Sequence, residues 1–147
     1  MSYNFYMAQE LLVRALIIRD RKILVCQTKD RDYFFLPGGH VEFEETMQEA
    51  LKRELYEEIE AKLIASQFIG SIENIFEQES VKKHEVSFVF HVDIDLREVV
   101  SKEEHISFYW LTYQEFIEAN ILPPAMKDAI IKWTAEKETF FIEEGNN

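Results

Sequence analysis

Between His84 and Leu96 the chain alternates, with Val86, Phe88, Phe90, Val92 and Ile94 on one side and Ser87, Val89, His91 and Asp93 on the other. A period of two is the signature of a β-strand with one face against a core. From Thr46 to Ile59 the period changes. Met47, Ala50, Leu51, Leu55 and Ile59 recur at three- and four-residue spacing in a run without glycine or proline, which predicts an amphipathic helix.

The remaining pattern predicts further strands and two more helices. Val-, Ile- and Leu-rich runs from Glu10 to Arg19 and from Lys22 to Thr28 flank the charged turn Arg19-Asp20-Arg21 and read as a hairpin. That turn has no glycine, so a loop longer than two residues is open. Lys29 to Tyr33 is a charged loop leading into Phe34-Phe35-Leu36, and a short strand near His40 and Glu42 leads to the helix. Lys62 to Phe76 predicts a strand with an irregular end, and Glu77 to Lys83 a polar turn. Arg97 to His105 is a charged loop before a strand from Ile106 to Leu111, where Trp110 is expected in the core. Thr112 and Glu115 have capping-box spacing for a helix to about Asn120. Pro123-Pro124 opens a last helix, Ala125 to about Lys137, and the EEGNN tail reads as frayed.

Strands on both sides of one acidic helix, with helices at the C-terminal end, predict an α/β fold in which a mixed sheet lies between helices. The order is not βαβα throughout, which argues against a doubly wound sheet. With 147 residues, 47% of them apolar, the chain suits one domain spanning residues 1–147. A net charge of −12 argues against binding nucleic acid or an anionic membrane. No uncharged run approaches membrane-spanning length, and the start MSYNFYM lacks the order of a signal peptide. The single cysteine, Cys26, lies in an apolar run and reads as a buried thiol, which suits the cytoplasm. The N-terminal aromatics suit a homodimer.

The chemistry concentrates beside the helical stripe. Glu54, Glu57 and Glu58 share an arc of roughly 100° on the helix, where like charges repel. The cluster is either a solvated acidic face or a site for a hard divalent cation. Arg14, inside an apolar strand, is either a solvent-facing residue or a phosphate-binding arginine. Tyr33 and Phe35 either stack on a base or belong to the core. His91 reads as an ordinary strand-face histidine, because no ligand partner stands at metal spacing.

Gly39, five residues, Glu45, seven residues, Arg53-Glu54, Leu55, one residue, then Glu57-Glu58 closely resembles the Nudix box of the MutT-like Nudix hydrolases. The resemblance implies an α/β/α sandwich and a pyrophosphohydrolase that cleaves a nucleoside diphosphate linked to another group. It implies Mg²⁺ or Mn²⁺ held by Glu54, Glu57, Glu58 and the carbonyl of Gly39. Arg53 is then expected to orient Glu45 or Glu57. The general base is expected on the loop before Trp110, with Glu104 favoured over Glu103. Arg14, Tyr33 and Phe35 are the expected substrate contacts.

Two positions depart from the family pattern, Glu44 and Glu60, where glycine is usual. Glu60 implies a differently shaped or slightly longer helix end. Some ADP-ribose hydrolases carry a proline downstream of the box and some dinucleoside polyphosphate hydrolases a tyrosine. This chain has no proline between Pro37 and Pro123 and no tyrosine between Tyr56 and Tyr109, so both classes are disfavoured. A nucleoside triphosphate, a nucleotide sugar or another small diphosphate remains as substrate. Loss of box carboxylates would instead mark a non-catalytic nucleotide-sensing domain, but all three are present.

Overall fold

The computed structural model describes residues 9–145, so the aromatics before Gln9, on which the homodimer expectation rests, lie outside the described residues. Eight strands and three helices follow one another as β1 (Gln9–Leu16), β2 (Ile18–Arg19), β3 (Lys22–Thr28), β4 (Gly38–His40), α1 (Met47–Ile59), β5 (Lys62–Gln78), β6 (Val81–Asp95), β7 (Ile106–Thr112), α2 (Tyr113–Glu118), α3 (Pro124–Glu136) and β8 (Phe140–Glu144). A mixed five-stranded sheet runs in the order β4-β1-β6-β5-β8, and a three-stranded sheet in the order β2-β3-β7.

The sheet separates two cores. On one side α1 lays Ala50, Leu51, Leu55 and Ile59 against Val13, Ala15, Phe90, Val92 and Ile94. On the other, Phe116 of α2 and Met126, Ile130 and Trp133 of α3 pack on Leu16, Ile72 and Val89. This is the α/β/α sandwich that the strand and helix order predicts.

Several expectations are refined or changed. The first apolar run is two strands: β1 pairs with β4 and, in parallel, with β6, while β2 crosses into the second sheet to pair with β3. The β2–β3 turn is only two residues, Asp20 and Arg21, both with positive φ, so the tight turn forms without glycine. The polar turn before His84 likewise shrinks to Glu79 and Ser80, because Glu77 pairs opposite Lys82 and extends the ladder of β5 and β6. Of the EEGNN tail, Glu143 and Glu144 pair in β8 rather than fray, and Asn146 and Asn147 lie outside the described residues. Phe140 and Ile142 alternate inward as β8, parallel to β5, and the Phe140 ring fills the space left by the absent side chain of Gly70. Trp110 is half-buried, packed on the α1 side of the core and stacked under the Arg19 guanidinium at 5.6 Å.

Candidate active site

The glycine loop delivers α1 to the end of the sheet. Pro37 accepts a hydrogen bond from the Ala15 N–H at 2.8 Å, and Gly38 pairs opposite Arg14. Gly38 has φ +144, and a Cβ there would lie 1.9 Å from the Val13 carbonyl oxygen, so only glycine fits. Thr46 caps α1 through a full capping box with Glu49. Glu60 ends the helix in the left-handed conformation, φ 52. The helix is therefore not lengthened: Glu60 adopts the conformation that a glycine would take, and Glu44 does the same at φ 67.

Arg53 organises the carboxylates. Its Nε donates to Glu45 at 2.7 Å and its Nη2 to the same carboxylate at 2.9 Å. Nη1 donates to Glu54 at 2.9 Å and to Glu57 at 3.3 Å, and Nη2 also reaches the His40 carbonyl at 2.9 Å. Hydrogen bonds from Arg53, and then from the Glu42 N–H, hold the Glu45 carboxyl down to about 2. The same contacts, Glu45 first, raise the pKa of Arg53 above its ordinary range.

The three helix carboxylates differ in setting. Glu57 is exposed and Glu54 largely covered, whereas Glu58 is buried at 4% exposure. The sequence arc does not distinguish them, because Glu58 is closed over by the rest of the fold. Burial, and then the charge of Glu54, pushes the Glu58 carboxyl up to about 8, while Arg14 and the Gly38 N–H oppose the rise. Its Oε2 is buried without a hydrogen-bond partner. Such an oxygen costs about 1–3 kcal/mol unless something binds it.

Among the described residues no three acidic, histidine or cysteine side chains converge on a cation-sized space. Arg53 instead engages Glu54 and Glu57. The donor set nevertheless fits a hard divalent cation. Glu58 offers an unpartnered buried oxygen, and the open face of Gly39 lies against Glu54, whose carboxylate a Cβ would meet at 2.5 Å.

Arg14 connects this end of the helix to a cavity of about 540 Å³. It donates to the Leu36 carbonyl at 3.1 Å and lies 5.5 Å from the Phe35 ring centroid, half-buried rather than on an open strand face. Tyr33 and Phe35 stand on the cavity wall, 6.4 Å apart, while Phe34 between them packs into the core. Period two decides this split, and the sequence pattern held it without showing which side was the cavity. The cavity walls also take in Asn74, Glu85 and Glu144, none of which the sequence singled out.

The loop before β7 docks on the helix end through the Lys102 N–H, which donates to the Glu58 carbonyl at 2.8 Å. Arg19 fixes the start of that loop by donating to the carbonyls of Leu96, Arg97 and Ile94. Glu103 is half-buried and its charge acts on Glu58, whereas Glu104 is exposed. His91 rests on Trp133 with ring centroids 5.2 Å apart, as a strand-face histidine. Cys26 is fully buried, its thiol donating to the Phe35 carbonyl at 3.4 Å and its pKa pushed up by burial.

A mixed sheet between helices, with a glycine loop presenting an arginine-braced acidic helix beside an aromatic cavity, defines the class of protein. Residues 10–135 match the NUDIX domain, and the chain belongs to that family. Its relatives include the ADP-ribose pyrophosphatase of Methanocaldococcus jannaschii, 31% identical over 96 residues, 63% of this chain and 56% of that protein. The chain thus matches little more than half the length of that relative. The crystal structure of the MutT protein of Methanosarcina mazei superposes with a TM-score of 0.72 at 23% identity, covering 88% of this chain and 95% of that one. The mutator MutT protein of Bacillus halodurans gives 0.68 at 20% identity, covering 83% and 78%. No helix among the described residues is long and apolar enough to cross a membrane.

Proposed function

We propose that this protein is a divalent-metal-dependent pyrophosphohydrolase acting on a nucleoside diphosphate linked to a further group. The observation that carries the reading is Glu58, a buried carboxylate with an unpartnered oxygen on an arginine-braced acidic helix. Glu54, Glu57, Glu58 and the Gly39 carbonyl are the groups that would hold Mg²⁺ or Mn²⁺. Held there, such a cation would supply positive charge and Lewis acidity to a bound diphosphate.

The chain's own residues do the rest. Arg53 and Glu45 hold the carboxylates in position. Arg14, beside the cavity mouth, takes a phosphate oxygen, and Tyr33 and Phe35 give flat apolar surface to a base or sugar. Glu103 accepts a proton from the attacking water in preference to the exposed Glu104. A new P–O bond forms, the bridging P–O bond breaks, and the products are a nucleoside monophosphate and a second phosphorylated species.

Nucleoside triphosphates and nucleotide sugars are the first substrates to test. ADP-ribose joins them on the strength of the Methanocaldococcus relative, even though no proline lies between Pro37 and Pro123. The full chain would be incubated with these compounds under Mg²⁺, Mn²⁺ and chelator, and the products separated by chromatography. Metal-dependent release of a monophosphate is expected. Absence of cleavage by folded protein on every compound would replace this reading with a nucleotide-binding domain.

A further inference from the structure

One row of polar side chains crosses four strands at the edge of the cavity. Glu10 of β1, Glu85 of β6, Asn74 of β5 and Glu144 of β8 are successive neighbours in register. Placing Glu10 directly beside Glu85 is unfavourable for a sheet on its own, since like charges opposite one another repel. The fold accounts for the two outer members. Glu10 pairs with His40 at 3.1 Å, and Glu144 accepts from the Ala125 N–H at 2.6 Å, the first N–H of α3 because Pro124 has none.

The two inner members are different. Among the described residues neither Glu85 nor Asn74 makes a side-chain hydrogen bond, and both line the cavity with Tyr33, Phe35 and Phe76. Arg14, in the same wall, acts electrostatically on both Glu85 and Glu58, so the cavity and the acidic helix share one cationic neighbour. Glu85 is half-buried, and burial raises its carboxyl above the usual range. A carboxylate set in a half-covered wall without a donor is a cost that a ligand can offset.

We propose that Glu85 is a specificity-determining residue: with Asn74 beside it, it accepts from two adjacent hydrogen-bond donors on the part of the substrate that does not react. An ionised carboxylate offers two acceptors and no donor. Two substrate features present a matching donor pair, the N1–H and N2–H edge of guanine and the vicinal hydroxyls of ribose. The edge of adenine, one donor beside one acceptor, does not match. This assignment rests on the pyrophosphohydrolase reading only in taking the cavity to be part of the substrate site.

The test is calorimetric titration of the full chain and of E85Q with GDP, IDP, ADP and 2′,3′-dideoxy-GDP, alongside turnover of the corresponding triphosphates. IDP lacks only the N2 amine, and the dideoxy compound lacks only the hydroxyl pair. If Glu85 reads the base, wild type prefers GDP over IDP and ADP, and E85Q narrows that preference by about 10-fold or more. If it reads the sugar, the preference for GDP over its dideoxy form narrows instead. N74A should narrow the same ratio in the same direction, which secures the outcome should E85Q fold poorly. Equal weakening of all four ligands, unchanged ratios or no binding at all would overturn the assignment. Since binding is read without turnover, failure of hydrolysis alone strikes the catalytic reading and leaves the ratios to decide this one.

Discussion

Arg53 grips Glu45 at two points, Nε at 2.7 Å and Nη2 at 2.9 Å, across the start of α1. That pair sets where the remaining Nη1 stands, and Nη1 in turn holds Glu54 and Glu57. Lysine carries the charge but not the planar fork, so Arg53→Lys is not conservative here. Arg53→Lys and Glu45→Gln should each lower kcat by about 100-fold or more, the scale associated with misplacing groups by about 1 Å. Steady-state kinetics at saturating Mg²⁺, with circular dichroism as a check on folding, would measure it. Activity within about twofold of wild type would remove the arginine from the machinery.

Glu58 makes the metal-free protein sensitive to pH. Its folded carboxyl, pushed up to about 8, exceeds the usual value of about 4.3, so the folded state binds more protons than the unfolded state in between. Stability from this group is therefore complete below about pH 4 and is lost as pH rises through about 8, on the order of 5 kcal/mol in all. Glu57 and Glu58 are not equivalent in this respect, since only Glu58 is buried. Urea denaturation in chelator from pH 5 to 9 should show the decline in wild type and a flatter profile in Glu58→Gln. Identical slopes for the two proteins would exclude the effect. Both Glu57→Gln and Glu58→Gln should lose most metal-dependent turnover.

Glu44 and Glu60 occupy left-handed backbone positions that cost a residue with a Cβ roughly 1 kcal/mol or more. Glycine removes that strain and gives back part of the gain through a freer unfolded chain. Glu44→Gly and Glu60→Gly should each stabilise the protein by roughly 0.5 kcal/mol, with kcat unchanged. Thermal unfolding would report it, and destabilisation in both variants would show that their side chains hold the loop in some other way.

Glu103 and Glu104 separate by position. Glu103→Gln should lower kcat by about 10²-fold or more and alter the acidic limb of the pH–rate profile, whereas Glu104→Gln should stay close to wild type. Arg19→Met, which releases the carbonyls of Leu96 and Arg97 at the start of that loop, should lower kcat more than it raises KM. Equal effects from Glu103→Gln and Glu104→Gln would place the base elsewhere.

Local order was legible in the chain. The α1 stripe, the Thr112 cap, the β6 alternation and the constellation of Gly39, Glu45, Arg53, Glu54, Glu57 and Glu58 depend on spacing within one segment, and spacing is what a sequence records. The β8 strand was not legible, because Phe140, Phe141 and Ile142 are consecutive apolar residues and only pairing with β5 turns Phe140 and Ile142 inward and leaves Phe141 exposed. What only the tertiary structure decided depends on segments far apart in the chain. Glu58 is buried because the loop at Lys102 and the strand at Gly38 close over it, and the sequence shows it as one glutamate among three. Arg14 became a cavity residue once β4 and β6 took their places on either side of β1. The Glu10, Glu85, Asn74 and Glu144 row exists only in the register of four strands, since hydrogen-bonded pairing, not sequence distance, makes them neighbours.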